Sequence, residues 1–235
     1  MSAASAIDLA QARSLIRNER LWPLVATFLW DFPTLLDPGR RADALAPLAD
    51  SFPPEAHPPR LRAYLMERLG LAPCFHDFPA NDGSRLLLLP VQDYLLAATW
   101  IGALALEAPL RKVMDGAGVR ALKTALPGVY PDLFRYAGYF HAWRDRLAAV
   151  AADAPAASAD KLAAHIPTLG LRILATILRD LPRPLLDRQR LRFPAALDPA
   201  FAPLDGNPFG LDDLPLPLTL FRYRFPRHLA VVAGA

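Results

Sequence analysis

The sequence predicts a mainly α-helical fold: a single compact helical domain over residues 1–235, interrupted by Pro-rich irregular segments and carrying at most a minor strand pair. Three observations lead there. The segment Leu95–Leu106 holds no charged residue, and its length suits a core helix better than a strand. Elsewhere apolar residues recur three to four positions apart, the spacing that lines one helix face. Prolines and glycines gather mostly between such stretches, where they punctuate turns. With 53% hydrophobic and 21% charged residues, a chain of this size can bury roughly 70–75% of its unfolded surface, which excludes global disorder.

The elements follow in order. Ile7, Leu9, Leu15 and Ile16 among polar neighbours predict a helix over 5–20, with Asp8 near its start. Leu21–Trp30 is a second helix, with Pro23 near its N-terminus, where a missing N–H is tolerated. Pro33, Pro38 and Gly39 make 31–41 a turn-rich connector, followed by a short helix at 41–49. Pro53, Pro54, Pro58 and Pro59 mark a loop, and Arg60–Leu69 is helical with Gly70 as its C-cap. Residues 71–84 form a long surface loop, and Leu86–Leu89 reads as a short strand or a buried extended segment. Pro90 opens the helix Val91–Leu106, which is apolar on every side and therefore central. A short basic helix, a Gly-punctuated break and a helix at 117–126 come next, ended by Pro127-Gly128. Pro131 starts a helix through Phe134, Tyr136, Tyr139 and Trp143 to about Ala152. Residues 153–160 are linker-like and mark a weak candidate boundary. Lys161–Leu181 is helical, with Pro167 and Gly170 as points of bending. The Pro-rich stretch 182–217 predicts an irregular wrap over the core with one short helix near 185–191. An apolar and basic segment, Leu218–Ala230, closes the chain.

Charge narrows the function classes. The balance of 26 Lys+Arg against 23 Asp+Glu, a net +3, argues against a dedicated nucleic-acid protein, which concentrates a large basic excess. Lysine occurs only at 112, 123 and 161, an Arg bias that a GC-rich genome accounts for. Cys74 is the single cysteine, so no intrachain disulfide forms and a reducing compartment is expected. The N-terminus lacks the basic and apolar regions of a secretory signal. The 12 residues of Leu95–Leu106 fall short of the roughly 20 that span a bilayer. The expected location is cytoplasmic.

Candidate chemistry is sparse. Cys74, His76 and Asp77 lie close together, with His57 near in sequence, but the second ligand pair of a metal site is missing. Cys74 with His76 or His141 could form a thiolate and base pair, against the commoner role of a lone cysteine as a small apolar group. Neither a nucleophile elbow nor a phosphate loop occurs. Asp115-Gly116-Ala117-Gly118 imitates a glycine loop, yet it follows a helix and reads as a turn. The series Tyr130, Phe134, Tyr136, Tyr139, Phe140 and Trp143, interleaved with Arg135, Arg144 and Arg146, resembles a base-stacking platform, but at helical spacing these rings cannot share one side. No catalytic residue, cofactor or metal is expected. The densest basic and aromatic patch is 220–228. There Arg222, Tyr223, Arg224 and Arg227 are the expected partner-binding residues for an acidic surface, with Phe221 and Phe225 anchoring the segment to its own core.

Residues 95–125 carry a family resemblance. The small-rich apolar helix Leu95–Leu106 is followed by Ala108-Pro-Leu-Arg-Lys-Val-Met-Asp-Gly116 and Val119-Arg-Ala-Leu-Lys-Thr-Ala-Leu126, with the aromatic Leu133-Phe134-Arg135-Tyr136 after them. This arrangement resembles the SctK (YscK-like) family of bacterial type III secretion systems, in which an apolar helix precedes a Leu-Arg-x-apolar-apolar-x-Gly-x-x-apolar-x-x-Leu segment. The Leu-rich ending with Phe225-Pro226 is similar too. The match covers about 50 residues, near 90–140, and is a packing pattern rather than a catalytic signature. The resemblance implies a non-enzymatic cytosolic adaptor of the secretion sorting platform. Its implied partners are the cytoplasmic domain of the inner-membrane ring protein (SctD-like) and the pod protein (SctQ-like). Two alternatives stay open on the residues alone: a helical enzyme whose site is assembled from distant residues, and a helical chaperone or adaptor outside secretion.

Overall fold

The computed structural model describes residues 18–48, 58–71, 74–79, 83–151, 158–206 and 209–233. Among them the regular structure is all helix. The α-helices are α1 (Leu21–Leu29), α2 (Pro38–Leu45), α3 (Pro58–Arg68), α4 (Val91–Ala105), α5 (Glu107–Lys112), α6 (Gly116–Ala125), α7 (Tyr130–Tyr136), α8 (Arg144–Val150), α9 (Ala159–Ile177), α10 (Arg183–Leu191), α11 (Pro215–Arg224) and α12 (Pro226–Ala233), joined in places by short 3-10 turns. The expected helix over 5–20 lies largely outside the described residues. No helix among the described residues is long and apolar enough to cross a membrane.

The chain forms two compact units, one from residues 1–88 and 181–198, the other from 89–180 and 199–235. The linker-like stretch 153–160 coincides with none of the joins, and most of it lies outside the described residues.

In the first unit, the Asn18 side chain accepts from Leu21 N at 2.9 Å and starts α1. Leu21, Val25, Phe28 and Leu29 line the buried stripe of that helix. Phe28 meets Phe32 and Phe78 edge to face, each at 6.0 Å. Helix α2 begins at Pro38, three residues before the expected start at 41. Asp37 is the reason: its carboxylate accepts from Gly39 N and Arg40 N, with Pro38 in the first turn. Gly70, at φ +63°, ends α3 as expected, with Leu71 N donating to Met66 O at 2.8 Å. Residues 86–89, expected as a short strand or a buried extended segment, are buried but lie in and just after a 3-10 turn over Ser84–Leu88, in which Ser84 is buried too. Gly83 turns the chain in at φ +78° and Pro90 starts the next helix, leaving a segment too short to find a partner strand. Arg192 Nη1 donates to Leu87 O at 2.5 Å and to Gln189 Oε1 at 2.8 Å, and Arg40 Nε donates to Phe193 O at 2.7 Å. These bonds join residues 181–198 to the N-terminal part of the unit. Phe78 holds a left-handed φ of +50° while fully buried; the core position of its ring offsets a backbone strain of about 1–2 kcal/mol.

The second unit is built on α4 against α9. Tyr94 and the run Ala97–Ala105 are buried on α4, as the charge-free segment requires. The backbones of the two helices are in direct contact where they cross. A Cβ added at Gly170 would sit 1.7 Å from Ala98 O, and one at Gly102 would sit 2.0 Å from Ile166 O. Only glycine lets two backbones approach this closely. The buried hydroxyls of Thr99 and Thr176 donate to the carbonyls of Leu95 and Arg172, four residues back. Helix α9 continues through Pro167 and Gly170. The expected helix from 131 to 152 is broken into α7, a 3-10 turn over Ala137–Trp143, and α8, because Phe140 leaves helical geometry at φ −108°, ψ 17°.

Candidate partner-binding surface

Helix α11 carries Leu216, Pro217, Leu220 and Phe221 inward. Phe225 breaks the helix at φ −131°, ψ 52°, is itself buried, and hands over to Pro226, which begins α12. Phe221 and Phe225 thus both face the core, and their rings lie 5.2 Å apart.

The four residues expected to bind a partner separate into two groups. Arg224 points back into its own unit. Its guanidinium lies 4.7 Å from the Trp100 ring centroid and 4.9 Å from that of Tyr136, pairs with Asp132 at 2.8 Å and donates to Gly128 O at 3.1 Å. Arg227 is exposed but pairs with Asp93 at 2.7 Å, and His228 Nε2 lies 3.0 Å from the same carboxylate. Both arginine charges are therefore met at home. Arg222 is exposed and makes no ion pair among the described residues. Tyr223 is 40% exposed.

The structure adds residues that the patch 220–228 did not contain. Tyr223 stacks on Tyr139 with centroids 4.3 Å apart and planes 23° from parallel, and Tyr139 is 50% exposed. Tyr139 lies 6.2 Å from Tyr136, whose ring meets the buried Trp100 edge to face at 6.3 Å. The exposed Arg135 lies 5.5 Å from the Tyr136 ring. The result is an aromatic ladder running from core to surface, braced by the Arg224 guanidinium, with the exposed Arg135 beside the Tyr136 ring. Aromatic membership was visible in the sequence for Tyr136 and Tyr139; their meeting with α11 was not.

A second exposed feature lies in the loop between α5 and α6. Leu110 is buried, and Asp115 caps α6 by accepting from Gly118 N at 2.6 Å. A Cβ at Gly118 would come within 2.7 Å of Asp115 Oδ2 and Val113 Cγ1, so the glycine permits a tight loop. That explains Asp115-Gly116-Ala117-Gly118 as a helix start rather than a phosphate cradle. At the apex Met114 is 87% exposed. Arg111 beside it is held by Glu107 at 2.6 Å and lies over the Phe134 ring at 4.7 Å.

Cys74 is half-buried, and burial pushes its thiol above the ordinary value, partly offset by the Arg188 guanidinium. The His76 ring packs edge-on against Phe78 at 5.0 Å. His141 is exposed on the other unit, its Nδ1 3.1 Å from Gly138 O, and His57 lies outside the described residues. Among the described residues no group of three His, Cys, Asp or Glu side chains is arranged to hold a metal ion. Comparison of the chain with protein-family models, curated proteins and solved structures finds no match.

Proposed function

We propose that this chain is a non-enzymatic adaptor of a type III secretion sorting platform, similar to SctK. It acts at the cytosolic face of the apparatus and links the cytoplasmic domain of the inner-membrane ring protein (SctD-like) to the pod protein (SctQ-like). The observation that carries this reading is Met114. In the segment bearing the resemblance, the bounding leucines Leu110 and Leu122 are fully buried, whereas Met114, at an apolar position of the same pattern, is 87% exposed. A pattern that only built a core would bury that residue. An exposed, adaptable thioether on a loop fixed at both ends suits recognition by another protein.

The test is genetic and biochemical. Deleting the gene abolishes secretion of effector proteins, and the purified chain forms a ternary complex with the ring protein's cytoplasmic domain and the pod protein on size-exclusion chromatography. Met114→Asp keeps the melting temperature and weakens the complex. Parental secretion from the deletion strain overturns the proposal.

A further inference from the structure

The Met114 side chain is 87% exposed, and the backbone around it leaves no route inward. On one side α5 ends beyond the buried Leu110, and Val113 N donates to Leu110 O at 3.3 Å. On the other side the Asp115 carboxylate accepts from Gly118 N at 2.6 Å and starts α6. Val113 and Asp115, the neighbours of Met114, are both extended, at φ −76°, ψ 94° and φ −71°, ψ 141°. Their Cγ1 and Oδ2 atoms fill the space beside Gly118, each 2.7 Å from where a Cβ there would stand. The space under the loop is taken by its own flanks, so the thioether stays in water.

Methionine oxidation follows access to the sulfur, and it converts a flexible apolar side chain into a polar, chiral one. In a packed site that change disrupts the packing. At 87% exposure Met114 has little packing to lose. The chain has two other methionines. Met1 lies outside the described residues. Met66 is partly buried on α3, and its carbonyl accepts from Leu71 N where that helix ends at Gly70. The two described methionines thus differ in both access and structural consequence.

We propose that Met114 is a site of reversible oxidation by peroxides, modified and repaired on the folded chain. The assignment concerns the free chain and does not depend on the adaptor reading. In the forward step a lone pair of the Met114 sulfur attacks one oxygen of hydrogen peroxide. The S–O bond forms as the O–O bond breaks, the departing hydroxide takes the proton of the transferred oxygen, and water leaves. Sulfur loses two electrons and the peroxide gains them. In the return step a dithiol reductase of the sulfoxide-specific class supplies two electrons and two protons, the oxygen leaves as water, and the reductase thiols become a disulfide. Because the loop presents Met114 outward, both steps proceed without unfolding. The loop therefore changes from an apolar to a polar apex while the helices on either side keep their places.

The experiment exposes the purified full chain to dilute hydrogen peroxide and follows each methionine by peptide mass mapping. In the folded chain Met114 gains one oxygen roughly tenfold faster than Met66, as their exposures require. In concentrated urea the two rates converge. Met66→Leu, a volume-conserving change, isolates Met114 for the second measurement: its oxidised form keeps the helical circular dichroism and the melting temperature of the unoxidised variant. A mixture of the two stereospecific sulfoxide reductases, supplied with dithiothreitol, then returns Met114 to the thioether without denaturant. Met66 reacting as fast as Met114 in the folded parent chain overturns the site. Lost helicity on oxidation of Met66→Leu, or reduction of Met114 sulfoxide only after urea is added, overturns the reversible reading on the folded chain.

Discussion

Replacing Gly170 by alanine should be the most damaging one-carbon change in this protein. The new Cβ would lie 1.7 Å from Ala98 O, and the facing change, Gly102→Ala, would place one 2.0 Å from Ile166 O. Both obstacles are backbone atoms of the opposing helix, so no side-chain rotation relieves them. Restoring an ordinary contact of 3.4 Å requires a shift of about 1.7 Å at Gly170 and about 1.4 Å at Gly102. A radial gap of about 0.5–1 Å already forfeits a quarter to a half of the dispersion attraction across it, and these helices carry the apolar core of their unit. Overpacking costs about 1–3 kcal/mol in a core that can adjust, and here it cannot adjust locally. Alanine returns about 1 kcal/mol through helix propensity, which leaves a net loss of about 2 kcal/mol when overpacking is taken at the upper end of its range, about 3 kcal/mol. For a chain of this length that lowers Tm by roughly 4–8 °C. Because both glycines serve one crossing, Gly102→Ala/Gly170→Ala should lose less than the sum of the single variants. Gly138→Ala is the control, since nothing lies within 4 Å of its added Cβ. Calorimetry and urea midpoints on the four proteins decide the matter. A Gly170→Ala variant that melts with the parent would refute the close crossing, and full additivity would refute the shared contact.

Three further outcomes are expected. Ile101, fully buried on α4, changed to Asp should unfold the protein or leave it insoluble, since an unpaired buried carboxylate lacks any compensating bond; circular dichroism reads this directly. Arg224→Lys should lower stability by about 1–2 kcal/mol in urea titrations despite keeping the charge, because a point ammonium replaces a planar fork set beside two rings and a carboxylate. The folded chain holds the Cys74 proton more tightly than the unfolded chain. The corresponding stability is therefore present below the unfolded thiol value and is lost as pH rises through the folded one. Urea midpoints of the parent should fall more steeply over that alkaline range than those of Cys74→Ala, and iodoacetamide should label the native thiol slowly at neutral pH.

Local chemistry in the sequence located much of the fold. Val91–Leu106 was legible because nothing charged interrupts Leu95–Leu106, and the observed helix ends one residue earlier, at Ala105. Gly70 was legible as a cap because a left-handed residue after a helical run favours glycine. Leu86–Leu89 misled because consecutive leucines carry no period and suit a strand or a turn equally. The early start of α2 was present in Asp37-Pro38, a capping pair hidden among turn signals. The long aromatic helix gives way after Tyr136 to a 3-10 turn that contains Gly138 and Phe140, and the one glycine there was passed over among the aromatic residues. The site was less legible for a different reason. Arg224 and Arg227 looked available because their carboxylates, Asp132 and Asp93, lie far away in the chain. Tyr139 and Tyr223 meet only through folding, and so do Gly102 and Gly170. Periodicity reports on one helix at a time; contacts between helices leave no such mark.

The interleaving of the two units governs how this protein can be made and cut. The first unit needs residues 181–198, and the second needs 199–235. During synthesis residues 1–88 must wait for the 92 residues of 89–180 to be added, roughly 5–18 s at ordinary elongation rates. Through that interval Phe32 and Phe28, buried in the finished unit, lack the Arg188 and Arg192 side chains that lie over their rings. A nascent chain in this state is a natural client for a holding chaperone. The same topology means that a stop codon near 180 deprives both units at once, and that each half expressed alone requires a designed joint rather than a truncation.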